Sequence, residues 1–242
     1  MGRAAEVLVL AAAPLALLGA LLAKAPIAQL PDYHDFADQR ALLGIPHFWN
    51  IVSNLPFVLV GALGLALLRG RPPGASAAWA VMFGATLLVG LGSAYYHLVP
   101  GDATLVWDRL PIGVAFMAFS AALIGEHAGR GERLLLPLVL FSIAAVYWWR
   151  FTGDLSLWVW VQLAPMIGVV LALAFLPARY THRRYLLYAL LCYAAAKAAE
   201  FADHPLMQWT GGALSGHTLK HLAAAAGVAF LYVMLRRRAA IR

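Results

Sequence analysis

Apolar and polar positions alternate along this chain in long blocks. Eight apolar stretches stand out, at about Val7–Ala23, Phe48–Leu68, Ala77–Leu98, Trp107–Glu126, Leu134–Trp149, Leu155–Leu176, Tyr185–Phe201 and Leu214–Leu235. Each is near the roughly 20 residues that carry a helix across a bilayer, with the fifth and seventh somewhat short. Strand edges find no hydrogen-bond partners in hydrocarbon, so the pattern predicts helices throughout and an all-α polytopic membrane bundle. No internal repeat, Pro- or Ser-rich linker or shift in composition divides it.

Composition strengthens this reading. Of 242 residues, 63% are hydrophobic and 12% charged, too apolar for a soluble domain. The single cysteine, Cys192, excludes a disulfide framework and a cysteine-based metal cluster. A formal charge of +7 would suggest nucleic acid in a soluble protein, but here the basic residues flank hydrophobic runs. One set of flanks holds Arg3, Arg69, Arg71, Arg130, Arg133, Arg179, Arg183, Arg184, Arg236, Arg237, Arg238 and Arg242, whereas the opposite loops hold only Lys24, Arg40 and Arg150. The asymmetry predicts both termini in the cytoplasm, with the Arg-rich tail against an anionic leaflet and no nucleic-acid partner. The first span also has features of a signal peptide, since Arg3 precedes it and Ala23-Lys24-Ala25 follows it, but Pro26 argues against cleavage and favours a retained anchor.

Charged groups inside spans are functional candidates by default. With this orientation they gather towards the outer face: Ser93 and His97 at the end of the third span, Asp108 and Arg109 at the start of the fourth, Lys197, Glu200 and Asp203 on the seventh, and His217, Lys220 and His221 on the eighth. Only Glu126 and His127 stand at the inner end. His217 and His221, in SGHTLKHL, project from one helix face a turn apart, and Ser93 and His97, in GSAYYH, repeat that spacing. Three imidazoles with an open fourth position are the ligand set of a catalytic zinc, which makes hydroxide available at neutral pH. Asp108 is the natural proton acceptor.

Each residue also has a simpler reading. A His pair four apart arises by chance, His97 alone suits a membrane interface, and Asp108 suits an N-cap ahead of Pro111. Ser93 suits helix packing, Lys197 and Glu200 suit a neutralising pair, and Asp203 with His204 suits a turn before Pro205. Their shared depth on separate helices favours one metal site.

At these residues the sequence resembles the alkaline ceramidase family, part of a superfamily with the adiponectin and progestin receptors. The resemblance rests on FWNIVSNLPF, on GSAYYH followed by WDRLP, and on SGHTLKHL. It implies a seven-helix ceramidase-like core, residues 47–242, preceded by one extra N-terminal transmembrane helix and an acidic outer loop, residues 1–46. It implies an intramembrane zinc amidase that cleaves ceramide to a fatty acid and a sphingoid base. His97, His217 and His221 match the zinc ligands, Asp108 the aspartate at the attacking water, and Ser93 the serine beside the metal. The orientation is similar to that of the ceramidases and opposite to that of the adiponectin receptors.

The segment DYHDFADQRALLGIPHFWN departs from the family, whose eukaryotic members bind calcium there. Asp32, Asp35 and Asp38 offer carboxylates for Ca2+, but His47 stands where the family carries an acid, so a solvated acidic loop or a cap on the site's outer mouth competes with a calcium site. The expected substrate is a membrane lipid: a ceramide, another N-acyl lipid or an ester. Lys197, Glu200, Asp203 and Lys220 are expected around the metal ligands. A zinc-containing receptor or sensor with little turnover is the main alternative. A metal or proton transporter ranks last, because the inner half lacks polar groups. The preference for Arg over Lys, with many Ala and Gly, points to a bacterial inner membrane.

Overall fold

The computed structural model describes residues 2–129 and 131–241; Arg130 and Arg242, two of the basic flanking residues, lie outside the described residues. The chain is built from α1 (Arg3–Lys24), α2 (Phe48–Val52), α3 (Leu55–Arg69), α4 (Ala77–Leu98), α5 (Asp102–Ala128), α6 (Gly131–Thr152), α7 (Ser156–Phe175), α8 (Arg184–Phe201), α9 (Asp203–Trp209) and α10 (Gly216–Arg237). Among the described residues, extended backbone pairs only as isolated bridges. Seven helices are long and apolar enough to cross a membrane, with Phe48–Arg69 counted as one, and α8 with α9 makes an eighth if a pair bent by 80° is a single span.

Local chemistry sets these boundaries. Ser76 and Ser215 cap α4 and α10 through side-chain oxygens that accept from Trp79 N and Thr218 N. Hydropathy places the start of the fourth span at Trp107, but α5 begins at Asp102. Its first turn is polar and invisible to an apolar pattern: Asp102 stands at the positive helix end, and the Thr104 hydroxyl donates to the Val99 and Gly101 carbonyls. Similarly, α6 extends beyond the short apolar run on both sides.

The hairpins α3–α4, α4–α5 and α5–α6 pack as neighbours, α10 lies against α8 and α3, and α1 lies along α7 and α5. Two contacts fasten α1: Trp160 Nε1 donates to the Pro14 carbonyl at 2.7 Å, and Arg179 pairs with buried Glu6 at 2.6 Å. Two close approaches bear on function. A Cβ on Gly92 would lie 2.1 Å from the Trp107 carbonyl oxygen, and one on Gly216 would lie 2.1 Å from that of Ala199. Glycine therefore lets α4 meet α5, and α10 meet α8, backbone to backbone.

The bundle has two unlike ends. At one, the basic helix ends surround a core that includes Trp79, Phe83, Phe119 and Met234. At the other, Tyr96, Leu105, Trp149 and Trp158 pack beneath the segment that joins α1 to α2. Trp49, Tyr95, Trp107, Trp148, Phe201 and Trp209 are exposed around this second end, as aromatic side chains are at a membrane–water boundary.

Candidate metal centre

Two helix termini meet at the second end. His97 lies in the last turn of α4, His217 in the first turn of α10, and His221 one turn further on. All three are buried, at 1%, 7% and 4% exposure. Their ring centroids stand 4.8 to 5.1 Å apart, and one nitrogen from each falls within 4.8 Å of the others. The Nε2 atoms of His97 and His217 face each other at 3.2 Å. Two nitrogens on a tetrahedral ion with bonds of roughly 2.0–2.1 Å lie about 3.3 Å apart, so the pair is spaced as ligands would be. His97 Nδ1 has no partner among the described residues. These rings could hold a metal ion.

A partner fixes the third ring. The Ser53 hydroxyl donates to the Asn50 carbonyl at 3.2 Å, which leaves its oxygen free to accept from His221 Nδ1 at 2.8 Å. With the proton on Nδ1, the lone pair of Nε2 is available for coordination. Asn50 Oδ1 in turn accepts from the Thr218 hydroxyl at 3.0 Å, docking α2 onto the start of α10. Sequence reasoning singled out neither Asn50 nor Ser53, although two polar residues three apart inside an apolar run were the available signal.

Asp108 and Ser93 are buried, with the Ser93 hydroxyl beside the Asp108 carboxylate. Asp108 sits in the second turn of α5, whose N-cap residue is Gly101, so the capping role open to it in the sequence is not the one it fills. Its oxygens are not among the clustered ligand atoms, so it is not one of the candidate ligands. Lys220 and Glu200 complete its charged surroundings: Lys220 donates to Glu200 at 2.6 Å, and Lys197 pairs with the other oxygen of the same carboxylate. Arg109 also bears on Asp108. Its guanidinium lies 3.9 Å from the Trp149 ring centre and donates to Gln29. Asp203 does more than shape a turn, since Oδ1 accepts from His217 N at 2.7 Å and so holds the first turn of α10.

The segment after α1 crosses this end as a strap. Ile27 N donates to Asp154, the His34 ring bonds Tyr96 and Asp102, and Ala37 N donates to Asp203 Oδ2. Asp32, Asp35 and Asp38 do not gather as calcium ligands would. Asp32 and Asp35 are exposed, while both oxygens of buried Asp38 are taken by Arg40 at 2.8 and 2.6 Å. Burial raises the Asp38 carboxyl, but the Arg40 bonds outweigh it and hold the carboxyl below its ordinary value. Arg40 also donates to the Gly212 carbonyl, so a guanidinium supplies the positive charge here.

In comparisons with known proteins, a family model described as Ceramidase matches residues 43–240. No curated protein matches the chain.

Proposed function

The chain belongs to the ceramidase family, and from that membership we propose that it is a zinc-dependent intramembrane amidase cleaving the N-acyl bond of ceramide or a ceramide-like lipid. The observation that carries this reading is the convergence of His97, His217 and His221 nitrogens within 4.8 Å inside a membrane bundle. A nitrogen-only set of three suits zinc, and zinc there would supply Lewis acidity to a carbonyl and make water a nucleophile near neutral pH.

The chain's own groups account for proton and charge movement. Asp108, buried beside Ser93 and outside the imidazole cluster, accepts a proton from the attacking water. It returns that proton to the amide nitrogen as the C–N bond breaks, releasing a fatty acid and an amine. Ser93, one turn before His97 on α4, donates a hydrogen bond to the carbonyl oxygen as negative charge develops there. Lys220 and Glu200 keep the surroundings of Asp108 charged and ordered.

The Arg-rich helix ends lie opposite the site, which supports an orientation with both termini cytoplasmic and the site near the outer face. The packing of α1 on α7 supports a retained anchor, residues 1–46, ahead of a catalytic core, residues 47–242.

Metal analysis of purified protein, combined with mass spectrometry of fatty acid released from a panel of lipid amides, tests the proposal. About one zinc per chain is expected, with product from at least one amide. Asp108→Asn should retain the metal and lose hydrolysis; full activity in that variant removes Asp108 from the mechanism. Product no greater than that of a His217→Ala control across the panel would favour a receptor or sensor.

A further inference from the structure

The aromatic ring nearest the three imidazoles belongs to neither the motifs nor the matched region. Phe36, on the strap, precedes the family match at residues 43–240. It is 3% exposed, and its ring centre lies 4.6 Å from that of His97 and 4.6 Å from that of His217. Tyr96 and His47 flank it at 5.7 and 5.9 Å. The ring is wedged against two of the three candidate ligands, on the side from which the strap approaches.

The neighbours of Phe36 hold it there. His34 bonds the Tyr96 hydroxyl at 2.7 Å, tying one side to α4. Ala37 N donates to Asp203 Oδ2 at 3.0 Å, and the other oxygen of that carboxylate accepts from His217 N. One carboxylate therefore sets the backbone beside Phe36 and the backbone of His217 in common register. On the far side, Arg40 donates to the Gly212 carbonyl at 2.5 Å.

An amphiphilic amide with its acyl chain among the helices must place its polar head towards the strap. A ring without hydrogen-bonding groups fills that space, and a large hydroxylated head would have to displace it or leave its own polar groups unpaired. We propose that Phe36 is a specificity-determining plug: it closes the water-facing side of the centre and restricts the chain to N-acyl lipids with compact heads. This rests on the amidase reading above.

The test compares an N-acyl sphingoid base bearing a free primary hydroxyl with the same lipid carrying one sugar on that hydroxyl. Wild type should favour the first, Phe36→Ala should narrow the ratio of kcat/KM values by about tenfold or more, and Phe36→Leu should fall between them. A second readout needs no turnover: a water-soluble chelator should remove metal faster from Phe36→Ala than from wild type, with Phe36→Leu again between. If the alanine variant does not fold, the leucine variant carries both measurements. Ratios and extraction rates equal to wild type in metal-loaded variants would overturn the plug. Failure of wild type to cleave either lipid would count against the amidase reading, and the chelator comparison would still decide the role of Phe36.

Discussion

His221 turns one ring nitrogen towards its fellow imidazoles and the other towards Ser53, so a hydroxyl in the turn between α2 and α3 governs how well it can donate a lone pair. Ser53→Ala would leave a buried N–H without its acceptor, a loss of about 1–3 kcal/mol. Partners of this kind alter metal affinity by about 10- to 100-fold. Competition titration should therefore show weaker metal binding in Ser53→Ala with the helical content intact; unchanged affinity would mean that Ser53 does not orient the ring. The contrast between Ser53 and the histidines explains what can be read at this scale. His97, His217, Asp108 and Lys220 are conspicuous because ionisable groups are rare in apolar runs, whereas serine and asparagine pass as packing residues until their partners are known. Asp38 shows the converse. Three acidic residues at short spacing resemble a cation site in sequence, but Arg40 two residues away takes up the one that is buried.

At the scale of elements, two glycines bring the site together. Gly92 lets α4 touch α5 next to Ser93 and Asp108, and Gly216 lets α10 touch α8 next to His217. A methyl group on Gly216 meets backbone at 2.1 Å, and backbone cannot rotate aside as a side-chain end can. Gly216→Ala should thus destabilise the bundle by about 1–3 kcal/mol and displace His217 from its neighbours. Thermal unfolding in detergent should fall together with metal content. Gly84→Ala is the matched control, since nothing lies within 4 Å of its added Cβ, and it should lower neither. Helix existence was legible from hydropathy because each span must be apolar over most of its length. The ends were less so, because polar first turns such as Asp102–Thr104 carry no apolar signal. The 80° break between α8 and α9 follows from packing around Asp203, which starts α9 while its carboxylate holds the first turn of α10, a contact between residues fourteen apart that local pattern does not encode.

Over the whole molecule, one end is basic and the other carries the buried polar centre, an asymmetry visible in the sequence as soon as the spans are drawn. The strap was not visible, because a polar linker without periodicity does not reveal where it folds back; its position depends on contacts with distant turns. Asp154, between α6 and α7, is the first of these. It accepts from Ile27 N at 2.9 Å, from the Ser156 hydroxyl at 2.6 Å and backbone at 2.9 Å, and from Trp148 Nε1 at 3.1 Å. Burial pushes the carboxyl up, but these donors prevail and hold it at about 2, against an ordinary 3.8. A folded-state value below the unfolded one stabilises fully above the unfolded value and loses that contribution as pH falls through the folded value. The strap's anchor should therefore be insensitive to pH from 8 down to about 4 and weaken between about 4 and 2. In thermal unfolding, Asp154→Asn should lie below wild type by a constant interval above that window, and the interval should close within it. An interval that instead changed between pH 8 and 5 would assign the anchoring to a group other than Asp154.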